Sequence, residues 1–245
     1  MPDLDHYAAR CDLAAAFRLA YRHGWHEAVA NHFSLSISQN GKRFLMNPAG
    51  IHFSRIKASD LIICDADNPA ATFEQPQAPD PTAWGIHGAF HRHQPQARAC
   101  LHVHPIHATV FSCLKNPTLP PIDQNTARFY NRLGYEDGVE GMGFDSEGER
   151  ISGTLGGHRI LVMGNHGVMA AAESVARAFD ELYYFEKACQ TYLKAVSTGL
   201  PLKVLSDTIA ESTAQDWENY PDEPWQQHFQ ALCAILDEEE PDYRH

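Results

Sequence analysis

The 245-residue chain has no apolar run long enough to cross a bilayer, which excludes a helical membrane protein. It is short of positive charge, with 19 Lys and Arg against 31 Asp and Glu and a formal net charge of −12. No Lys/Arg cluster offsets that balance, so neither nucleic acid nor an anionic membrane is an expected partner. Its six cysteines (Cys11, Cys64, Cys100, Cys113, Cys189, Cys233) contain no CxxC pair. Zinc-finger and dithiol-redox readings therefore lack their spacing, and reduced thiols of a cytoplasmic protein are expected. The first residues, MPDLDHYAARCDLAAAF, carry charges throughout and lack the apolar centre of a signal peptide. There is no internal repeat, low-complexity run or clear linker. Histidine, in contrast, is abundant: fifteen, several of them close together.

Hydrophobic periodicity predicts a helix over about residues 4–23, closed near His23-Gly24. Short strands are expected at Phe33–Ile37, Arg43–Met46 and Leu61–Cys64, the first two joined by the turn-forming Gln39-Asn40-Gly41-Lys42. Residues 66–80 read as a surface loop. Asp80-Pro81 has N-cap and first-turn chemistry for a helix to about His93. Ala99–His104 reads as a strand stopped by Pro105, His107–Leu114 as a short helix, and Ser146–Leu155 as another. Arg159–Met163 and Val168–Ala172 are strands around Gly164-Asn165-His166-Gly167. Ser174–Thr198 is a long amphipathic helix, and the tail reads as helical to about Asp237. This order predicts one α/β domain over 1–205, with 206–245 a helical C-terminal extension of the same domain.

His102 and His104 stand at i and i+2 of a strand, so both imidazoles share one face and can converge on one ion. A pair of ordinary histidines on a polar sheet face has the same spacing. His166 lies in a glycine-flanked turn that allows close backbone approach. His87 and His91, at i and i+4 of a helix that looks packed, read as structural or supporting residues.

The runs NHFSLSI, FLMNPAG, PDPTAWGIHGAFHRHQPQARAC, LHVHPIHATVFSCL and GNHGVMAAAESVARAFDELYYFEKACQ together resemble the class II aldolase/adducin family over about residues 8–200. The resemblance implies a three-layer α/β/α domain with a largely antiparallel central sheet. It also implies one divalent metal ion per subunit (Zn, Mn, Fe or Co) on His102, His104 and His166, and a homotetramer with sites near subunit interfaces. In the family's sugar-phosphate aldolases, a catalytic glutamate sits four positions before the helix histidine. With His87 as that histidine, the position is Ala83 here. Of the family's phosphate-binding residues the chain keeps Asn31 and Gly50, but has Ala49, Pro81 and Thr82 in place of hydroxyl-rich partners.

These departures point away from a phosphorylated sugar and toward a small hydroxy, oxo or aromatic hydroxy acid, cleaved at a C–C bond by decarboxylation or retro-aldol chemistry. Glu27 and Tyr130 are the candidate proton carriers. Asn31, Gly50, Gln124 and Arg128 are the candidate substrate contacts, with Arg128 able to clamp a carboxylate through two bonds. A non-haem Fe(II) oxygenase is the alternative enzyme, and an adducin-like binding module the non-enzymatic one.

Overall fold

In the computed structural model, which describes residues 5–137 and 147–245, seven strands form one sheet. They are β1 (His32–Ser36), β2 (Arg43–Met46), β3 (Ile62–Asp65), β4 (Ala99–Val103), β5 (Leu133–Glu136), β6 (Ile160–Met163) and β7 (Gly167–Ala172). Their order is β3-β2-β1-β4-β7-β6-β5, antiparallel throughout except where β5 joins β6. Tertiary burial makes the strands alternate between two cores. Phe33, Leu35, Leu101, Val103, Val168 and Ala170 pack in the core that holds α1 (Tyr7–Arg22) and α7 (Val175–Val196). Cys100, Met169 and Ala171 pack on the other side with Ile86 and Phe90 of α3 (Pro81–His93) and Ile151 of α6 (Glu147–Thr154). The result is three layers, α/β/α, as the resemblance implied.

Local chemistry explains the main helices. Asp80 caps α3 by accepting from the backbone of Thr82 and Ala83, with Pro81 at the first turn. Ser174 accepts from the backbone of Arg177 to start α7. Under α1, Phe17 stacks on Phe33 at 4.5 Å and meets Phe53 edge-on at 4.6 Å. Each such buried ring contributes about 1.5–3 kcal/mol.

Several elements differ from expectation. The segment read as a loop over 66–80 contains α2 (Pro69–Phe73), capped by Asn68. The stretch after the proline-rich connector holds α5 (Gln124–Arg128), closed by an Asp123/Thr126 capping box, and then β5. The helix expected from Ser146 begins, within the described residues, at Glu147. The tail is helical, in two pieces: α8 (Asp207–Glu218) lies on α5, and α9 (Pro224–Glu239) on α7. Between them Asp222 and Glu223 take positive φ, and Pro224 cannot continue a helix from its N-terminal side. Of the short α4 (Ile106–Ser112), the N-terminus is held by Glu186 of α7, which accepts from the backbone of His107 and Ala108 and from the His107 ring.

Candidate metal centre

On β4, Cys100 and His102 face the α3 side of the sheet, while Leu101 and Val103 face α7. His104 follows at the strand's end, where Pro105 turns the chain into α4. His166 comes from the tight turn between β6 and β7, opened by Asn165 at φ 56°, a conformation asparagine tolerates. Gly167 is needed next: a Cβ there would overlap the His104 ring and the Val103 carbonyl. The rings of His102, His104 and His166 lie 4.8–5.0 Å apart by centroid, and one nitrogen from each falls within 4.8 Å of the others.

The surroundings decide which nitrogens carry hydrogen. His102 Nδ1 is 3.1 Å from the Val168 carbonyl, and His104 Nδ1 is 2.6 Å from Glu27 Oε2. Both oxygens can only accept, so both Nδ1 atoms donate, and in the neutral form that can bind a metal both Nε2 atoms keep lone pairs. Those Nε2 atoms face one another at 3.2 Å. Two lone pairs so placed repel unless a cation lies against them, so the donor set fits a divalent ion. The rings are also suited to it electronically. Burial, with neighbouring histidines adding to it, holds His102 well below its ordinary pKa and brings His166 to about 4. Three neutral imidazoles accept zinc, manganese, iron or cobalt.

The three histidines border a cavity of about 620 Å³. Glu27, Asn31, His32, Gly50, Asp80, Thr82, Ala83 and Asn165 also line it, and no lysine or arginine is among its lining residues. The Glu27 carboxylate is committed to His104, and its backbone N–H donates to Asn31 Oδ1 at 2.9 Å. Gly50 holds φ 80°, where a side chain would be strained. Ala83 presents a methyl group to the cavity wall.

Arg128, Tyr130 and Gln124 are not brought to this cavity. Arg128 is buried between helices, its guanidinium 2.7 Å from Asp180 and 3.2 Å from Glu181, and it lies over the rings of Tyr184 and Trp217. It holds α5 to α7 and α8, so within the chain it is no carboxylate clamp. The Tyr130 hydroxyl pairs with Asp207 at the start of α8, which raises its pKa. Gln124 is exposed in the first turn of α5. The polar density of 123–130 serves helix docking and lies away from the histidine cavity; Arg128 and Phe129 border a separate small pocket with Arg132 and Trp217.

Asp80 and His32 are two of the cavity residues that the sequence reading did not assign to a site. Asp80, recognised there as a helix cap, also borders the cavity; its Oδ1 accepts from Thr82 and Ala83. Burial alone would raise its carboxyl, but those hydrogen bonds and nearby His32 hold it below the ordinary value. His32 pairs in register with His102, the rings 4.9 Å apart. Its Nδ1 is 2.7 Å from His87 Nε2, and Ser34 Oγ bridges His87 Nδ1 and His91 Nε2. The available signal was the polar alternation His32, Ser34, Ser36 on β1 facing the i, i+4 pair His87 and His91 on α3.

Comparison with known proteins agrees with this geometry. Residues 11–193 match the model of the class II aldolase and adducin N-terminal domain. A class 2 aldolase-type protein of Caulobacter vibrioides is 31% identical over 84% of this chain and 79% of its own length. The decarboxylase NovR of Streptomyces niveus is 28% identical over 84% of this chain and 79% of its own. Among solved structures, an aldolase II superfamily protein from Pseudomonas syringae superposes with a TM-score of 0.90 at 29% identity, covering 100% of this chain and 97% of that one. A match over most of the chain, joined to the same fold, makes this protein a member of the class II aldolase and adducin N-terminal domain family.

Proposed function

We propose that this protein is a divalent-metal-dependent carbon–carbon lyase that decarboxylates a small, unphosphorylated hydroxy or oxo acid. The observation that carries this reading is Ala83, a methyl group in the cavity wall beside a complete three-histidine donor set. A retro-aldol step begins by removing a hydroxyl proton, which alanine cannot do; loss of CO2 needs no base to begin. The cavity's lack of lysine and arginine supports an unphosphorylated substrate, and the similarity to the decarboxylase NovR supports the reaction type.

His102, His104 and His166 would hold the ion, which when bound supplies Lewis acidity toward a substrate oxygen. Glu27 keeps His104 in the tautomer that leaves Nε2 free, the orienting role usual for a carboxylate behind a ligating histidine. Asn31, Thr82 and Asn165 offer amide and hydroxyl groups to a bound acid, and Gly50 leaves room beside them. Homotetramer assembly belongs to the same reading. It is supported by exposed apolar residues, Ile106 and Val110 on α4 and Leu114 just beyond its end, immediately after the histidine strand.

The test is metal analysis of anaerobically purified protein, followed by a panel of 2-oxo, 2-hydroxy and aromatic hydroxy acids with and without O2. Metal-dependent CO2 release without oxygen is expected. Aldehyde or ketone release without CO2 would sink the decarboxylase reading, and turnover only with O2 would make the protein an oxygenase.

A further inference from the structure

Three fully enclosed polar side chains, Ser34, His87 and His91, lead from the interior to His32 at the cavity. Nothing in the proposed reaction so far uses them. His87 and His91 are sealed from solvent between α3 and β1, and among the described residues no carboxylate hydrogen-bonds any of the three rings. Neutral imidazoles have one N–H each, and the Ser34 hydroxyl has no other partner among the described residues for its own hydrogen, so the row has two ways of arranging its hydrogens with every contact bonded.

The far end chooses between them. His91 Nδ1 is buried with no partner. If it carried the hydrogen, an N–H would be sealed without an acceptor, the rarer and costlier defect; a sealed lone pair is the milder one. The hydrogen therefore sits on His91 Nε2 and is donated to Ser34 Oγ, 2.7 Å away. The Ser34 hydroxyl must then donate to His87 Nδ1, and His87 Nε2 to His32 Nδ1 at 2.7 Å. His32 is left with its hydrogen on Nε2. Among the described residues no group takes that nitrogen, and it is not among the sealed, unpartnered atoms, so it opens to the cavity.

We infer that His32 presents an Nε2–H hydrogen-bond donor to a carboxylate or enolate oxygen of the substrate, with its polarity set by the buried row His91–Ser34–His87. His32 is thereby a substrate-binding residue and not a fourth metal ligand, because a ligating nitrogen must be free of hydrogen. The two sides of the cavity are complementary. His102 and His104 turn lone pairs inward, while His32 turns an N–H inward from the paired position on the next strand. With no lysine or arginine lining the cavity, this donor supplies the recognition of an anionic oxygen that a basic side chain would otherwise provide. Ser34, His87 and His91 are positioning residues. The substrate assignment rests on the acid-lyase reading; the hydrogen assignment does not.

Two measurements separate them. Long-range 15N–1H correlation spectra of the metal-free protein labelled with 15N-histidine report which ring nitrogen of each histidine is protonated. The Nε2–H form is expected for His32, His87 and His91, and Ser34→Ala should lower its share at His87 and His32. A bare Nε2 on His32 in the wild-type protein overturns the inference. In zinc-loaded protein, calorimetric titration with glycolate and with oxalate should show His32→Leu weakening the acid about ten- to a hundredfold at unchanged zinc stoichiometry, with His32→Gln recovering part of the loss. Loss of zinc in His32→Leu, with acid affinity per bound zinc unchanged, would make His32 a ligand and overturn the assignment. If zinc-loaded wild-type protein takes up neither acid, the acid-lyase reading fails, while the spectra still judge the position of the hydrogen.

Discussion

The ring of His104 has two nitrogens, and the Glu27 carboxylate at 2.6 Å decides which of them faces the cavity. Glu27→Gln keeps an acceptor but loses its charge, and its amide can instead turn an N–H toward the ring. Metal affinity is expected to fall about ten- to a hundredfold with the fold intact, read by competition with a chromogenic chelator. Gly167→Ala acts sterically, because its Cβ would occupy space held by the His104 ring and the Val103 carbonyl. We expect loss of stoichiometric metal at a fold otherwise unchanged by circular dichroism; full metal retention would count against the close packing described. At this scale the legible residues were those whose spacing is itself geometry. A strand HxH sets two rings on one side, and a glycine-flanked turn histidine can approach them. Arg128 and Tyr130 were misread because a polar helix looks alike in sequence whether it faces a ligand or another helix. His32 was missed because its partner His87 lies more than fifty residues away, with His91 joined to the row only through Ser34.

Helix α3 shows how an element carries the consequences of what it buries. His87 and His91 are fully enclosed; burial takes His91 to about 3 and His87 well below the ordinary 6.5. Their folded values lie under those of the unfolded chain, so between these limits the unfolded state binds more protons. Stability is therefore complete above about pH 6.5 and falls as the pH drops toward the folded values. Each histidine contributes a slope of about 1.4 kcal/mol per pH unit. Urea unfolding from pH 7 to 4.5 should show this steep loss, and His91→Phe should remove roughly one histidine's share of the slope. An unchanged slope would mean that His91 is protonated in the folded state. Elements were legible where a cap and a long period coincide, as in α3 and α7. Strand β5 was not, since Leu133-Gly134-Tyr135-Glu136 is short, broken by glycine and paired in parallel only at the sheet's edge. Short α2 and α5 owe their existence to side-chain caps from Asn68 and Asp123 rather than to periodicity.

For the molecule as a whole, three layers around a largely antiparallel sheet were foreseeable from the family resemblance, whereas strand order is written nowhere in local sequence. The outer surface carries the remaining expectation. Ile106 and Val110, on one side of α4, and Leu114 just beyond its end are 65%, 43% and 37% exposed. In a homotetramer this row is covered, and Val110→Glu should shift sedimentation toward smaller species while leaving the helix content unchanged. A wild-type protein that sediments as a monomer at micromolar concentration would refute the assembly.

The donor nitrogens also have a mechanical meaning. His102 belongs to β4, His166 to the turn before β7, and the chain between them includes α4, α5, β5, α6 and β6. An ion shared by the two ends is a clasp on that long loop. Closing a loop of roughly sixty residues ahead of folding removes about 4 kcal/mol of chain entropy from the unfolded state. Adding metal should then slow hydrogen exchange in α5 and α6, helices that hold none of the three donor histidines. The ion would act on the middle of the polypeptide as a reversible cross-link.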